Sequence, residues 1–446
     1  MTPDVQNLYQ AHATDLISQH QDLLKKYDFD AAVIPSGELQ YVFQDDMSYP
    51  FKANAYFKWL VPLCKHPNCF MVIPQKGKPT LIYFVPRDYW HAVPEMPDEN
   101  LFSAFDVQVI SKAGAAQGLL PHTSGQIAWL GEAPQAFDLP KTASLLPEPL
   151  LSELHWLRAY KSEYEQHCLY QASLLGAKAH LAAKQAFYAG LSELQIHNAY
   201  LHAMGCKESN LPYGNIVALN EHAAVLHFTE MDNVVYDKSE LRSFLIDAGG
   251  SFHGYASDIT RTYAFQHNDF AEMIVALDQK QLEIVDAIEP GDSYIELHKL
   301  THRKVAEILL EFNVLDCALD EALEKHITST FFPHGLGHHL GLHVHDAGGH
   351  QETATGGSKL PPPPHDFLRN TRTIEAGNYF TIEPGLYFIP QLLGELKDSK
   401  HSGLVNWDKV EEFLPFGGIR IEDNVLVGEN AVENFTRKAF AELNPA

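Results

Sequence analysis

The sequence has few cysteines and few basic residues for its length. Its five cysteines are scattered over 446 residues without a C-x-x-C pair, so they do not form the disulfide framework of a small secreted protein. There are 32 lysines and arginines against 57 acidic residues, which gives a formal net charge of −25. Blocks of basic residues that would bind phosphate backbones or anionic lipids are also missing. We therefore expect neither nucleic-acid nor membrane partners.

The sequence also lacks long hydrophobic runs. No apolar stretch approaches the roughly 18 residues that suggest a membrane-spanning helix, and the N-terminal segment has neither the basic start nor the apolar run of a signal peptide. We expect a cytoplasmic protein. The hydrophobic share of 45% is typical of a globular chain, and the length predicts roughly two or three domains.

The pattern of helices and strands changes between Pro147 and Leu157. Residues 1–160 alternate helical and strand-like segments, including a helix over roughly residues 5–27 and a strand over residues 31–36, and they predict an α/β domain. Residues 161–446 predict a second domain of class α+β with an antiparallel sheet. Within it, the glycine- and proline-rich stretch 348–364 predicts a structured surface loop.

Local signals mark the helix starts and the strands of the second domain. Capping boxes of the form S-x-x-E or S-x-x-Q predict helix starts at Ser162 with Glu165, Ser192 with Gln195, and Ser293 with Glu296. Segments rich in β-branched and aromatic residues predict strands between these helices. The strand-like segments are residues 215–228, 242–249, 255–265, 378–389 and 417–427.

Four of these strand-like segments carry acidic residues that side-chain alternation alone would not place in a core: Asp247, Asp258, Glu383 and Glu422. Asp258 follows Asp247 by eleven residues across a glycine-rich turn, which predicts facing strands of a hairpin. Near Glu422, the two-residue period of a strand predicts that Arg420 and Glu422 share one face and the neighbouring isoleucines the other.

Together the four carboxylates favour a metal site. A buried lone carboxylate is costly, and four in one sheet would raise one another's pKa by repulsion unless cations offset them. Two dications would balance the four negative charges. For any one of these acids alone, a solvent-facing position at a strand end, or a pair with an arginine such as Arg261 or Arg420, is the simpler explanation.

Five histidines lie in the segment FFPHGLGHHLGLHVHD: His334, His338, His339, His343 and His345. A helical zinc-protease motif H-E-x-x-H is disfavoured, because a glycine replaces the general-base glutamate and glycines disfavour a helix. The glycines instead suit a turn in which the backbone and one imidazole approach a carboxylate-rich metal pair. A histidine-rich surface loop remains the alternative for this segment taken alone.

Four carboxylates and one imidazole form a hard, oxygen-dominated ligand set. Such a set suits Mn²⁺ and tolerates Co²⁺ or Zn²⁺, so we expect two Mn²⁺ ions per subunit. Two ions about 3.5–4 Å apart lower the pKa of a bridging water, supply hydroxide near neutral pH and polarise the attacked carbonyl. The predicted reaction class is metal-assisted hydrolysis.

At these residues the chain resembles the pita-bread metallopeptidases, and most closely the bacterial Xaa-Pro dipeptidases (prolidases), a group that includes organophosphorus acid anhydrolases. The resemblance spans nearly the whole chain through the motifs DAGGSFHGYASDITRT, PHGLGHHLGLHVHD, TIEPGLYF and PFGGIRIEDN. It implies an N-terminal α/β domain over residues 1–160 and a catalytic pita-bread domain with a curved antiparallel sheet over residues 161–446. It also implies cleavage of Xaa-Pro dipeptides by a metal-bridging hydroxide.

The resemblance implies a role for each motif residue. The metal ligands would be Asp247, Asp258, His338, Glu383 and Glu422, of which Asp258 and Glu422 would bridge the ions. The residues around the scissile group would be His227, His334 and His345, with Glu383 as the proton shuttle. The substrate-binding residues would be Tyr213 and two arginines that hold the dipeptide carboxylate, Arg369 and Arg420. In a homodimer, a partner loop would add Asp46 and Trp90, for which a surface aspartate and a core tryptophan are the ordinary interpretations.

Other functions compete with a dipeptidase. The same site would hydrolyse phosphotriesters or phosphofluoridates, since a bridging hydroxide attacks phosphorus as well as carbon. Aminopeptidase P, which removes the N-terminal residue of longer Xaa-Pro peptides, is not separated by chain length, although the segments PHGLGHHLGLHVHD and FLRNTR favour the dipeptidase. A non-catalytic metal-binding or scaffold protein is expected to have lost ligands, whereas all five ligand positions are filled here.

Overall fold

The computed structural model describes residues 2–96, 98 and 100–444. The described chain divides into two compact units. Unit 1 contains the residues up to Arg158, together with Ser162–Cys168 and Thr353–Gly356, and unit 2 contains the rest. Among the described residues, no helix is long and apolar enough to cross a membrane.

Unit 1 combines helices with a mixed β-sheet. Its helices are α1 (Pro3–Lys26), α2 (Ala55–Leu60) and α3 (Glu148–Arg158). Its strands are β1 (Phe29–Pro35), β2 (Phe70–Pro74), β3 (Thr80–Phe84), β4 (Asp106–Ile110), β5 (Gln126–Trp129) and β6 (Ala143–Leu145). The strand order is β4-β3-β2-β1-β5-β6, with β1 antiparallel to β2 and parallel to β5. Val33, Phe70 and Trp129 belong to its buried core. The predicted α/β class of this region is confirmed.

Unit 2 carries most of the remaining helices and strands. Helix α4 spans Glu163–Tyr188, and its residues up to Cys168 belong to unit 1. The later helices are α5 (Glu193–Met204), α6 (Asp269–Asp286), α7 (Tyr294–Glu311), α8 (Leu319–Glu324), α9 (Thr328–Phe331), α10 (Pro390–Lys397), α11 (Trp407–Phe413) and α12 (Phe435–Leu443). The strands are β7 (Ile216–Leu219), β8 (Ser243–Asp247), β9 (Ser251–Phe252), β10 (Tyr255–Ala256), β11 (Thr260–Ala264), β12 (Gln351–Thr353), β13 (Gly356–Ser358), β14 (Tyr379–Ile382), β15 (Gly385–Tyr387), β16 (Gly418–Arg420), β17 (Asp423–Val427) and β18 (Val432–Asn434).

The strands that position the functional site pair antiparallel. Strand β8 lies between β11 and β7, and β17 lies between β14 and β18. Strands β15 and β16 pair with each other, with Gly385 opposite Arg420. An isolated bridge pairs Thr260, the first residue of β11, with Glu422, which lies between β16 and β17. The predicted α+β class with an antiparallel sheet is confirmed.

The capping signals were correct at two of the three helix starts. Ser162 exchanges hydrogen bonds with Glu165, and Ser192 with Gln195, as expected for capping boxes. Ser293 does precede α7, but its side chain makes no capping hydrogen bond, so the predicted capping box there is wrong. In this case the helix begins where the backbone of Ser293 pairs with that of Thr373.

One predicted strand is much shorter than expected. Of residues 215–228, only β7 is extended, because the chain turns at Asn220. Asn220 has a positive φ of 54°, and its side chain accepts hydrogen bonds from the backbone N–H groups of Arg242 and Ser243. A short polar side chain such as asparagine tolerates this left-handed conformation. The Asn220 side chain then accepts the backbone hydrogen bonds that a continued strand would have accepted.

A buried ion-pair network fixes α12 to the sheet. Asp423, the first residue of β17, accepts hydrogen bonds from Arg261 Nη2 and Arg437 Nε, both at 2.6 Å, and from Asn434 Nδ2 at 2.8 Å. Burial acts to raise the pKa of Asp423, but the two arginine charges outweigh it and lower the pKa to about 2. The Asp423 carboxylate therefore stays charged and links β17 to Arg261 of β11 and to Arg437 of α12.

We expect the substitution Asp423→Ala to lower the free energy of unfolding by about 3 kcal/mol, because it leaves the buried Arg261 charge without its anion. Urea-induced unfolding followed by circular dichroism measures this change. The control is Glu411→Ala, which breaks an exposed pair with Lys397 and should cost less than about 1 kcal/mol. Equal losses in the two variants would contradict a structural role for the network.

Candidate metal centre

The four acidic residues converge within unit 2, beside breaks in its strands. Asp247 ends β8, Asp258 precedes β11, Glu383 lies between β14 and β15, and Glu422 lies between β16 and β17. Three of the four therefore lie outside regular strands. The predicted facing strands are confirmed, because β8 pairs antiparallel with β11 in a register that places Asp247 opposite Thr260.

Asn424 explains why Asp258 leaves the strand. The Asn424 side chain accepts a hydrogen bond from the Asp258 backbone N–H at 3.0 Å and donates one to the Asp258 carbonyl oxygen. These bonds replace the ladder partners that a strand residue needs. Asn424 therefore holds the backbone of Asp258 outside the strand ladder, and the Asp258 carboxylate faces the other acids.

His338 lies among the carboxylates. Its Nε2 is 3.4 Å from Asp258 Oδ2 and 3.6 Å from Glu383 Oε1. Ligand atoms of Asp258, His338 and Glu422 lie within 4.8 Å of one another. His338 Nδ1 is 3.0 Å from the His339 carbonyl oxygen and donates to it, so Nε2 is the nitrogen that faces the carboxylates.

The approach of His338 depends on a glycine. A Cβ at Gly337 would lie 2.2 Å from the Thr381 carbonyl oxygen in β14, so no other residue fits between this loop and the strand. The His338 backbone N–H also donates to Thr381 Oγ1. The expectation that glycines let this segment approach closely agrees with the geometry.

Polar side chains hold the carboxylates in place. The Tyr213 hydroxyl is 2.8 Å from Asp247 Oδ1 and 2.5 Å from Asp258 Oδ1. Thr260 Oγ1 donates to Glu422 at 2.7 Å, a contact that the sequence analysis missed. Its position two residues after Asp258 in a strand-like segment was the available signal.

Arg420 also belongs to this network. Its Nη2 donates to Asp247 Oδ2 at 2.7 Å, and its Nη1 donates to the Tyr387 hydroxyl at 2.9 Å. As predicted, Arg420 faces the acids while Ile419 and Ile421 belong to an apolar core. However, the buried guanidinium is already paired with protein groups, which argues against the predicted role of holding a substrate carboxylate.

The protonation of the acids reflects their crowding. Burial, and then the charges of the other acids, raise the pKa of Glu422 well above its usual value. Burial raises the pKa of Glu383 to about 7 and that of Asp247 to about 6. Burial also acts to raise the pKa of Asp258, but the hydrogen bond and charge of His338 lower it overall. Such a set is relieved by cations, and its oxygen donors with one imidazole fit divalent metal ions.

Three further histidines surround this centre. His334 Nε2 is 2.8 Å from the Tyr387 hydroxyl, and its Nδ1 is 3.9 Å from Glu383 Oε2. The ring of His345 lies 4.4 Å from that of His338, centroid to centroid. His227 is exposed and contributes to the electrostatic environment of His334 and His345. Burial lowers the pKa of His334 to about 3 and that of His345 to about 4, so both rings are neutral.

The remaining predicted residues differ in their surroundings. Arg369 is exposed, and its charge contributes to the lowered pKa of His345. Asp46 and Trp90 are exposed residues of unit 1, and Trp90 is 77% exposed rather than part of a core. Two histidines of the cluster take other positions: His339 is buried and forms a bridge to Phe380 of β14, and His343 is exposed.

Two family models match the chain. The model described as "Xaa-Pro dipeptidase, N-terminal domain" matches residues 7–156, and the model described as "Metallopeptidase family M24" matches residues 167–429. A protein named Xaa-Pro dipeptidase from Shewanella loihica is 45% identical over 430 residues, which cover 96% of this chain and 97% of that protein. Another from Pseudoalteromonas atlantica is 45% identical over 439 residues, which cover 96% and 98%.

A solved structure shows the same fold. Escherichia coli aminopeptidase P with the inhibitor Pro-Leu aligns with a TM-score of 0.72 over 97% of this chain and 95% of that chain, at 22% identity. The matches confirm the predicted pita-bread α+β fold and the prediction of a peptidase that uses a divalent metal ion. The chain belongs to metallopeptidase family M24.

Proposed function

We propose that the protein is a dinuclear-metal Xaa-Pro dipeptidase. The observation that carries this proposal is the convergence of three carboxylates, those of Asp258, Glu383 and Glu422, on His338 Nε2 within unit 2. The names of the 45% identical relatives supply the substrate class, an Xaa-Pro dipeptide. Residues 161–446 would form the catalytic domain and residues 1–160 the N-terminal domain.

Five residues would hold the metal ions: Asp247, Asp258, His338, Glu383 and Glu422. Their hard donor set supports two Mn²⁺ ions, with Co²⁺ or Zn²⁺ as substitutes. When bound, the ions supply the positive charge that activates a water molecule and polarises the scissile carbonyl. Their charge also offsets the repulsion that raises the pKa of Glu422.

The surrounding residues would carry out proton transfer and charge stabilisation. Glu383 would move a proton from the attacking water to the leaving proline nitrogen, a role supported by its position between His338 and His334. His227 and His345 would donate to the developing oxyanion, and donors of this kind contribute several kcal/mol. His334, neutral and anchored by Tyr387, would be a polar contact beside the leaving group.

Substrate binding would rest on Arg369 and Tyr213. Arg369 is exposed beside His345, and a guanidinium binds a free carboxylate through two parallel hydrogen bonds. Arg420 would instead position Asp247, with which it is already paired. Asp46 and Trp90 would complete the site from the partner subunit of a homodimer in the cytoplasm.

Organophosphate hydrolysis is proposed as a side activity of the same site, because activated water attacks phosphorus as well as carbon. A comparison of kcat/KM for Ala-Pro and for paraoxon tests whether organophosphate hydrolysis is the weaker activity. Aminopeptidase P activity is the remaining alternative, and it predicts cleavage of a tripeptide such as Ala-Pro-Ala. We expect the dipeptide to be the better substrate in both comparisons.

We expect Glu383→Gln to reduce kcat for Ala-Pro in the presence of Mn²⁺ by about 10²- to 10⁴-fold, because the amide cannot accept the proton. The control is Glu395→Gln, at an exposed position of α10, which should keep wild-type activity. Circular dichroism checks that both variants are folded. Full activity of Glu383→Gln, or of wild-type protein after exhaustive chelation, would sink the proposal.

We expect chelation to lower the Tm of the wild-type protein, since an ion at about 1,000 times its Kd stabilises the folded state by about 4 kcal/mol. In chelator, Glu422→Gln should be at least as stable as wild type, because it removes a carboxyl group that must either bury its charge or take up a proton, and it leaves an oxygen for Thr260. Adding Mn²⁺ should stabilise the variant less than wild type. Differential scanning calorimetry measures all four states, and an equal gain on adding Mn²⁺ would rule out Glu422 as a ligand.

We expect Arg369→Met to raise KM for Ala-Pro by roughly 10- to 100-fold, the value of about 1.5–3 kcal/mol for a charge-assisted hydrogen bond. The change in kcat should be smaller. With Ala-prolinamide, which has no free carboxylate, wild type and variant should have similar KM values. Arg303→Met, which breaks an exposed pair with Asp320, is the matched control. A KM change of equal size for the amide would argue against carboxylate binding.

A further inference from the structure

Three histidines form a second cluster, which the proposed function does not use. His298 and His302 lie one turn apart on α7, so their side chains share one face of that helix. His365 follows the proline run 361–364 and reaches the same place from a loop. We call these three residues the tri-histidine cluster.

The ring nitrogens of the tri-histidine cluster converge. His298 Nε2 is 3.1 Å from His365 Nδ1 and 3.3 Å from His302 Nε2, and ligand atoms of all three residues lie within 4.8 Å of one another. His298 lies edge to face with the other two rings, at 89° to His365 and 82° to His302, and His302 is tilted by 39° to His365. The short nitrogen separations bring one nitrogen of each ring to a common centre.

These separations match those of imidazoles around a metal ion. Zinc–nitrogen bonds of about 2.0–2.1 Å at tetrahedral angles place the nitrogens about 3.3–3.4 Å apart. Three imidazoles with a solvent molecule in the fourth position are an established zinc arrangement. The donor set also differs from the carboxylate-rich candidate centre, because imidazole prefers Zn²⁺, Cu²⁺ or Ni²⁺ whereas carboxylate prefers Mn²⁺.

Hydrogen bonding among the imidazoles alone leaves the cluster unsatisfied. A ring nitrogen either donates or accepts, so His298 Nε2 cannot make good bonds to both neighbouring nitrogens at once. His298 Nδ1 is buried and has no hydrogen-bond partner among the described residues. Burial is the main cause that lowers the pKa of His298 to about 2, and the charges of the neighbouring histidines add to it. The ring is therefore not doubly protonated at neutral pH, and a second N–H is not available to make the missing bond.

The surroundings of His302 suit a metal ligand. Its Nδ1 is 2.9 Å from Thr328 Oγ1, so an Nδ1–H that donates to the hydroxyl leaves the Nε2 lone pair facing the other histidines. Metal-bound histidines typically have such a partner on the second nitrogen. Burial lowers the pKa of His302 to about 3, so the lone pair stays available. Phe332 packs against both helix histidines, whereas His365 is half-buried and lies nearer solvent.

We propose that the tri-histidine cluster binds one Zn²⁺ ion at a site separate from the candidate dinuclear centre. The bound ion ties the loop that contains His365 to helix α7. Arg369 lies four residues further along that loop, so the ion also fixes the segment that carries the proposed carboxylate-binding arginine. The ion acts as a structural link, since the cluster shares no residue with the candidate centre.

Zinc stoichiometry tests this proposal. Chelator-treated protein is titrated with Zn²⁺ in competition with a chromophoric chelator, and bound zinc is measured by mass spectrometry. We expect His365→Ala to bind one ion fewer per chain than wild type. His267→Ala, which replaces an exposed histidine paired with Glu272, should match wild type. His365 is only half-buried, and equal Tm values for all three proteins in chelator check that the variant is folded. Equal stoichiometry of wild type and His365→Ala would overturn the proposal.

Anomalous diffraction at the zinc edge gives an independent result. In crystals soaked with Zn²⁺, we expect a peak about 2.0–2.1 Å from a ring nitrogen of each residue in the cluster. Peaks confined to the carboxylate-rich centre would mean that the three imidazoles only pack together, and would overturn the proposal. Neither readout uses peptidase activity, so the outcome does not depend on whether the protein cleaves Xaa-Pro dipeptides.

Discussion

Repulsion among four clustered carboxylates is the constraint on which the arrangement of unit 2 depends. Asp258 and Glu422 are buried and Asp247 and Glu383 partly buried, and burial together with the charges of the other acids raises the pKa of Glu422 far above its usual value. Such a group is stable only where donors or positive charges reach its oxygens. Protein groups meet part of this need: Tyr213, Thr260, His338 and Arg420 each contact at least one of the acids. In the proposed function, divalent cations would supply the rest of the positive charge.

The same constraint accounts for the breaks in the strands. In a regular strand, side chains alternate between the two faces of the sheet at two-residue intervals. The centre instead needs carboxylate oxygens that point at one another from several segments. Asn424 takes over the backbone bonds of Asp258, and the single bridge between Thr260 and Glu422 holds the segments together across the break. One residue further, Asp423 is paired with two arginines, so neighbouring acids have opposite electrostatic environments.

The sequence was informative where the determinants are local. Capping boxes marked the starts of α4 and α5, and the alternation around Arg420 correctly separated acid-facing from core-facing residues. The position of Asp258 outside the strand was not predictable, because it depends on the Asn424 side chain, 166 residues away. A pair with Arg420 was offered as the alternative for any one acid, but the sequence did not single out Asp247 as its partner, since residues 173 apart decide it. The tri-histidine cluster likewise combines a helix face with a loop 67 residues from His298.

His334 stands between the two histidine-containing groups and shows why they can have different chemistry. It lies 3.9 Å from Glu383, and it also contributes to the lowered pKa of His298. Burial keeps His334 neutral, so it adds positive charge to neither group. In the proposed function, the carboxylate-rich centre would use hard cations for its charge balance, whereas the tri-histidine cluster is uncharged and offers only imidazole nitrogen lone pairs. The acidic surplus of the whole chain, −25, does not distinguish these environments. Burial and the identity of the neighbouring donor atoms do, and they decide which cation each group of residues favours.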